Sequence, residues 1–190
     1  MIQCARTSLI HTTAAFGGAL AASNPTNPSV AVAMGTLGSF GIGGVLVPSA
    51  TVALIVVPDS LLATTAALSL SIRTIGGSIG FTIYYNVFVQ KLTKALPALV
   101  GQYAVEAGLS ASDATEFVTT FLTAPANITS APGYTPAIAQ AAVMGSRWAY
   151  SDALQYVWYA SIPFGILAII SCALLPSIKK YQTNRVAVAL

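Results

Sequence analysis

The chain has 190 residues, of which 55% are hydrophobic and only 7% are charged, and its mean hydropathy is +0.75. Soluble domains carry roughly 25% charged residues, so this composition excludes an ordinary water-soluble domain. It also excludes a disordered chain and a nucleic-acid-binding module, because both need many charges. The two cysteines, Cys4 and Cys172, are too few for a disulfide-stapled secreted module, and neither has a metal-ligating neighbour in the sequence.

The charged residues are distributed unevenly along the chain. Of the thirteen charged side chains, eight basic and five acidic, seven fall within residues 91–152, whereas the 52 residues from Thr7 to Pro58 have none. That stretch is more than twice the roughly 20 residues needed to cross a bilayer. We therefore interpret the net charge of +3 as a mark of membrane topology rather than of an anionic partner.

Breaks between the apolar runs predict four membrane crossings, which make the chain an all-α, multi-pass membrane protein. The crossings are expected over residues 8–23, 30–52, 61–89 and 153–176. Two Asn-Pro steps, Asn24-Pro25 and Asn27-Pro28, end the first crossing in a turn. Pro58 interrupts the chain before the third crossing, with Asp59 or Ser60 as the N-cap of the following helix.

The first crossing has an alternative interpretation. Arg6 before an apolar stretch, with Ala19-Leu20-Ala21 as a small-residue cleavage site, also fits a cleaved signal peptide. The stretch lacks a leucine-rich centre, which favours a short membrane helix. His11 fits either a proton relay or a helix-packing residue, and its two threonine neighbours favour packing.

Residues 91–152 form a long loop that we expect to be extracellular. Apolar spacing predicts amphipathic helices over 95–108, 113–124 and 135–150, with Ser110 or Ser112 capping the second. These helices either fold into a cap or lie along the membrane surface. Asn127-Ile128-Thr129 is an N-glycosylation sequon, which would have to face the lumen or the exterior.

The basic residues favour the same orientation, with both termini and the tail of residues 177–190 in the cytoplasm. Short cytoplasmic segments tend to carry the positive charge, and long loops count for less. The cytoplasmic basic residues would be Arg6, Lys179, Lys180 and Arg185, against Lys91, Lys94 and Arg147 in the long loop.

Arg73 is the most informative single residue, because a guanidinium inside an apolar helix costs about 2.5–3.5 kcal/mol to insert and usually faces protein or a water-filled cavity. Helical spacing puts Arg73 on one face with small residues and an aromatic one. The members of this face are Ala66, Ser69, Gly76, Gly77, Gly80 and Tyr84. We therefore predict a helix interface or cavity wall at this face; the alternative is that Arg73 snorkels to the membrane surface.

Other polar residues give weaker signals. Tyr84 and Asn86, at the outer half of the third crossing, belong either to the aromatic belt at the membrane surface or to a substrate path. The loop acids Glu106, Asp113 and Glu116 have no histidine to pair with, so no catalytic residue, metal site or cofactor is predicted. The glycines of the second crossing favour close packing and a kink rather than a phosphate-binding loop.

An ordered set of segments resembles a known family. The segments are Val57-Pro58-Asp59, residues 68–80 (LSLSIRTIGGSIG), Tyr84-Tyr85-Asn86, Pro132-Gly133-Tyr134-Thr135-Pro136, Ala149-Tyr150-Ser151-Asp152-Ala153 and Ser161-Ile162-Pro163-Phe164-Gly165. In this order they resemble the last two crossings and the intervening external loop of fungal major facilitator transporters. The group of trichothecene efflux pumps and siderophore-iron transporters is the most similar.

The resemblance implies a proton-coupled transporter in the plasma membrane that exports toxins or drugs, or carries a ferric siderophore. Its partners would be the lipid bilayer, protons and a small amphipathic organic substrate. Family members have about twelve to fourteen crossings in two related halves, so four crossings imply a C-terminal fragment with a partial major facilitator fold. The alternative functions are a small four-span scaffold or interaction protein and, more remotely, an intramembrane enzyme.

Overall fold

The computed structural model describes residues 15–174 of the chain. Within this range the regular elements are all helical, which confirms the all-α prediction for the described residues. The α-helices are α1 (Pro28–Ile55), α2 (Leu62–Glu106), α3 (Ala114–Thr123) and α4 (Pro136–Leu174), with short 3-10 turns at Leu20–Ala22, Asp59–Leu61 and Pro125–Ser130. The predictions for Cys4, Arg6 and His11, for residues 8–14 of the first crossing and for the tail of residues 177–190 lie outside the described residues.

Three helical stretches in the described part are long and apolar enough to cross a membrane. They are Pro28–Ile55, Asp59–Glu106 and Pro136–Leu174. Each stretch includes one of the crossings predicted at 30–52, 61–89 and 153–176, the last of them as far as residue 174. Their length and composition, with no strand among the described residues, are those of an all-α membrane protein.

Two predicted helix boundaries are wrong, because α2 and α4 continue well beyond the apolar runs. The amphipathic helix predicted over 95–108 is the final part of α2, and the one predicted over 135–150 is the first part of α4. The prediction ended each crossing where charged residues appear, but a Lys or Glu is compatible with a continuing helix. At 45 residues, α2 is about 68 Å long, more than twice the roughly 30 Å of the hydrocarbon core.

Gly108 ends α2 through a C-terminal capping motif. Gly108 has φ +104°, a left-handed conformation that residues with a side chain rarely adopt. Its N–H donates to the carbonyl of Val105 at 3.0 Å, and the N–H of Leu109 reaches back to Ala104 at 3.1 Å. This pair of bonds is the Schellman arrangement, and the burial of Leu109 and Ala104 supplies its usual apolar contact.

A glycine turn and a threonine cap start α4. Gly133 has φ +70° and follows Pro132 in a turn closed by the Tyr134 N–H to the Ala131 carbonyl at 3.2 Å, as in a type II turn. The hydroxyl oxygen of Thr135 then accepts a hydrogen bond from the Ile138 N–H at 3.2 Å. Together with Pro136 as the first helical residue, this is a favourable N-terminus.

Two other predicted caps are wrong. Helix α3 begins after Asp113, which makes no side-chain capping bond, and the hydroxyls of Ser110 and Ser112 instead lie 2.7 Å from each other. Before α2, residues Asp59–Leu61 form a 3-10 turn whose N-cap residue is Pro58, again without a side-chain capping bond.

The chain divides into two compact units. Among the described residues, the first contains residues 15–20, 32–84 and 160–174, and we call it the span unit. The second contains Ala21–Ala31 and Tyr85–Tyr159, and we call it the cap unit.

The cap unit is built around its own hydrophobic core. Phe117 of α3 and Val100 of α2 are fully buried, and each such side chain contributes about 1.5–3 kcal/mol by leaving water. The other buried members of the core are Ala104, Leu109, Ala131, Ile138 and Ala142. Of the two arrangements expected for residues 91–152, this core favours a folded cap.

The span unit differs, because most of its large apolar side chains are exposed. On α2 these are Leu68, Leu70, Ile72, Ile75, Ile79 and Phe81, each more than half exposed. Such a surface requires lipid or further helices to cover it.

Hydroxyl side chains in the span unit hydrogen-bond to their own helices. In α1 and α2, seven of them donate to the carbonyl four residues earlier, a common arrangement for Ser and Thr in a helix, and Ser49 donates to the Leu46 carbonyl three residues earlier. The bonds in α1 are those of Thr36, Ser39 and Thr51 to Val32, Gly35 and Val47. Those in α2 are the bonds of Ser71, Thr74, Ser78 and Thr82 to Ala67, Leu70, Thr74 and Ser78.

Candidate functional site

The Arg73 face of α2 consists of Ala66, Ser69, Arg73, Gly76, Gly77, Gly80 and Tyr84, and it is covered at its two ends but open in the middle. Ala66 and Ser69 are half-buried, as are Gly80 and Tyr84. Arg73, Gly76 and Gly77, between them, are exposed. The guanidinium thus lies beside an uncovered stretch of helix within the span unit.

The glycines on this face leave free space rather than contact a neighbour. A Cβ built on Gly76 or Gly77 would meet nothing within 4 Å. On Gly80 it would meet only the ring of Tyr84, at 3.9 Å, which is an ordinary contact. The described residues therefore leave room for another helix or a ligand beside Arg73, and the predicted interface role stays a prediction.

Tyr84 closes one end of the face by packing against α4. Its ring meets the ring of Phe164 edge to face, with centroids 5.9 Å apart and an interplanar angle of 89°. Aromatic pairs prefer this geometry, and each is worth about 0.5–1.5 kcal/mol beyond its buried area. The contact fixes the outer part of the Arg73 face against α4.

Asn86 does not share the Arg73 face. At 3.6 residues per turn it lies about 140° around α2 from Arg73, and its side chain is exposed in the cap unit. A substrate path at Asn86 stays a prediction.

An apolar cleft in the span unit had no counterpart in the sequence analysis. It has a volume of about 680 Å³ and lies where the end of α1 meets α2 and α4. Val52 of α1 and Val56 just after α1 line it together with Thr65 of α2 and Cys172 of α4. Its volume is within the range of small-molecule sites, which are typically apolar with a few polar groups. No local motif marks it, because its lining comes from three separated segments.

The cap unit contains a charged contact that the sequence analysis also missed. The ammonium of Lys91 on α2 lies 3.7 Å from the ring centroid of Tyr156 on α4. Tyr156 in turn packs edge to face on Tyr159, at 6.4 Å between centroids, and the Tyr159 hydroxyl accepts a bond from the Gln155 amide at 3.1 Å. This cluster joins α2 to α4 within the cap unit.

The predicted sequon is accessible. Asn127 is exposed in the 3-10 turn Pro125–Ser130, and Thr129 is exposed beside it. Among residues 15–174, no group of three His, Cys, Asp or Glu side chains is arranged to hold a metal ion.

Comparison with known proteins gives one informative similarity. No family model matches the chain, and no solved structure matches it. The chain is 29% identical over 170 residues to the MFS-type transporter prx5 of Penicillium rubens. The match covers 90% of this chain and 31% of that protein, so the chain spans about a third of the length of the curated relative it matches.

The similarity and the apolar helices lead to the same coarse assignment. An MFS-type transporter is a non-enzymatic membrane protein, and the described part of the chain has three helices able to cross a membrane. The similarity extends over nearly the whole chain rather than over one motif. Together these findings support a multi-pass, all-α membrane protein that is similar to an MFS-type transporter over most of its length.

Proposed function

We propose that this chain forms part of a secondary active transporter that exports amphipathic organic compounds, such as toxins or drugs, across the plasma membrane. The observation that carries the proposal is the similarity to an MFS-type transporter over 90% of the chain. The proposed transport cycle is driven by protons and belongs to a protein that contains both halves of the fold. Both termini of this chain are proposed to lie in the cytoplasm.

Arg73 is proposed to line the substrate path. A guanidinium within a span is tolerated where it faces protein or water, and Arg73 lies beside the open stretch at Gly76 and Gly77. In that position it would engage an anionic group of the substrate, or the carbonyls at the end of a further helix. Either partner gives the charge a favourable environment that lipid cannot supply.

The apolar cleft supports an amphipathic organic substrate over an iron chelate. Valine and alanine side chains dominate its lining, and the hydroxyl of Ser171 is bonded to the Leu167 carbonyl of its own helix. Such a surface binds an apolar body better than a strongly hydrated chelate. A ferric siderophore is therefore the second substrate class to test.

Transport assays in cells that lack their own exporters test the proposal. The gene containing this chain is expressed, and efflux of a labelled amphipathic toxin and uptake of a labelled ferric siderophore are measured with and without a protonophore. We expect toxin efflux that the protonophore abolishes. Siderophore uptake without toxin efflux would reverse the substrate assignment, and stable crosslinked oligomers without any transport would favour the scaffold alternative.

Substitution at Arg73 tests its role in the same cells. Arg73→Ala is expected to reduce efflux at least tenfold or to lower the amount of protein in the membrane, and Arg73→Lys to lose less of either. Arg147→Ala is the matched control, because it removes the same side chain from an exposed position of the cap unit. Equal efflux and abundance for Arg73→Ala and the parent protein would contradict the proposed role.

A further inference from the structure

Three Asn-X-Ser/Thr sequences occur in the chain, and the structure distinguishes one of them. They are Asn24-Pro25-Thr26, Asn27-Pro28-Ser29 and Asn127-Ile128-Thr129. A proline in the middle position prevents glycosylation of the first two. Asn127 is thus the one residue of the 190 in a complete N-glycosylation sequon.

The side chains of Asn24 and Asn27 take part in the turn that leads into α1. The Asn24 carboxamide oxygen accepts bonds from the N–H and the hydroxyl of Thr26, at 3.1 and 2.7 Å. That of Asn27 accepts the hydroxyl of Ser29 at 2.7 Å. These carboxamides stabilise the local backbone, as expected for Asn before a helix.

Asn127 is arranged differently. Its backbone N–H donates to the Ala124 carbonyl at 2.9 Å, and its backbone carbonyl accepts the Ser130 hydroxyl at 2.7 Å. Its carboxamide makes no hydrogen bond within residues 15–174 and is exposed. The neighbouring Ile128 packs against the core of the cap unit, so the segment is anchored while the Asn127 side chain points away from the core.

We infer that Asn127 carries an N-linked oligosaccharide and that the cap unit therefore faces the lumen of the secretory pathway. In the reaction, the Asn127 carboxamide nitrogen bonds to C1 of the first sugar of a polyprenyl-diphosphate oligosaccharide. The bond between C1 and the diphosphate oxygen breaks, the polyprenyl diphosphate leaves, and the nitrogen loses one proton. The exposed position accommodates the glycan without removing any buried contact.

A second contact extends the orientation to the other loop of the cap unit. The Ser151 hydroxyl donates to the Ser23 carbonyl at 2.9 Å, which ties the Asn24–Pro28 turn to α4. The turn after the first predicted crossing therefore lies on the same side of the membrane as Asn127. A glycan at Asn127 fixes the direction of α1, α2 and α4 through the bilayer, independently of the substrate and of the proposed transport function.

Glycosidase digestion of the membrane-inserted chain tests this inference. The full chain and the variants Asn127→Gln, Thr129→Ala and Thr129→Ser are expressed in eukaryotic cells, and carbonate-washed membranes are treated with peptide N-glycosidase. We expect one glycosidase-sensitive mobility step in the parent chain and in Thr129→Ser, which preserves the sequon. Asn127→Gln and Thr129→Ala are expected to lack it.

Two results would overturn the inference. One is a parent chain that resists carbonate extraction but shows no glycosidase-sensitive form, in cells that glycosylate a control glycoprotein. The other is a sensitive step that persists in Asn127→Gln. Misfolding does not explain a step that is present in Thr129→Ser and absent in Thr129→Ala, because these two variants differ from each other only in the hydroxyl on which the sequon depends.

Discussion

In the cap unit, the backbone of Gly145 on α4 lies directly against the carbonyl of Leu99 on α2. A Cβ built on Gly145 would stand 2.7 Å from the Leu99 oxygen and 3.2 Å from the Cβ of Tyr103. Both distances are shorter than the roughly 3.5–4.0 Å of favourable carbon contacts. A helix carbonyl cannot rotate aside as a side chain can, so the approach of α4 to α2 requires a glycine at this position.

Gly145→Ala is therefore expected to destabilise the protein. The added methyl group forces the two helices apart and loosens the core around Val100 and Ala142, at a cost of about 1–3 kcal/mol in the free energy of unfolding. Thermal or denaturant unfolding of the full chain in detergent measures the change. Gly35→Ala is the control: a Cβ there meets nothing within 4 Å, and alanine favours a helix by about 1 kcal/mol. Equal stability of the two variants would contradict the close approach.

Gly133 and Gly108 provide a second, graded test. Both have positive φ angles, so alanine costs about 1–2 kcal/mol at either position. A Cβ on Gly133 would also lie 2.6 Å from the Cδ1 of the buried Leu109, whereas one on Gly108 meets nothing within 4 Å. Gly133→Ala should therefore lower the unfolding free energy more than Gly108→Ala does.

The contribution of Leu109 can be isolated with a double variant. In Leu109→Ala/Gly133→Ala the crowding atom is gone, so the combined loss of stability should be smaller than the sum of the two single losses. Strictly additive losses would mean that strain in the Gly133 backbone accounts for the whole effect.

A third prediction concerns Lys91 and Tyr156. A cation above an exposed aromatic ring contributes about 0.5–1 kcal/mol, so a double-mutant cycle of Lys91→Met and Tyr156→Leu should give a coupling energy of that size. Tyr156→Phe retains the ring, so a cycle of Lys91→Met and Tyr156→Phe should give a coupling energy near zero. A coupling energy near zero in the Tyr156→Leu cycle would mean that the contact adds no stability.

The open stretch of the Arg73 face gives a fourth prediction. Gly77→Leu fills space that the described residues leave empty, so we expect normal helical content but at least tenfold less transport, because the side chain blocks the proposed path or interface. Ser78→Leu is the matched control, because Ser78 is the next residue of α2 but lies about 140° around the helix from Arg73. The Ser78 hydroxyl donates to the Thr74 carbonyl of its own helix. Circular dichroism and the efflux assay separate folding from function. Equal efflux by the two variants would contradict the proposal that the Arg73 face lines the transport path.

The apolar runs of the sequence located the membrane helices because hydropathy reports which segments avoid water. They did not locate the ends of α2 and α4, since a helix that leaves the membrane changes its solvent without changing its backbone. That change of solvent is predicted near Lys91 and Asp152. The residues that end α2 and begin α4 are Gly108 and Thr135. Proline does not mark the ends of these helices, since Pro97 lies within α2 and Pro163 lies within α4.

The candidate site was only partly accessible from the sequence. Helical spacing identified the Arg73 face, because residues three or four apart necessarily share a side of α2. The pairing of Tyr84 with Phe164, and of Gly145 with Leu99, joins residues far apart in the chain. No local pattern encodes such contacts, since they depend on how separate helices approach one another.

The hydroxyl hydrogen bonds along α1 and α2 affect the free energy of transferring these helices from water into a membrane. Each hydroxyl donates a hydrogen bond to a backbone carbonyl of its own helix, so in a membrane it would not lack a hydrogen-bond acceptor. A residue-by-residue hydropathy scale assigns every such Ser and Thr the free energy of losing a hydrogen bond to water. In these helices a bond to the backbone replaces that lost bond. The seven hydroxyls therefore make α1 and α2 more lipophilic than their composition suggests. Replacing them by alanine would change the insertion free energy of these helices less than tabulated transfer energies imply.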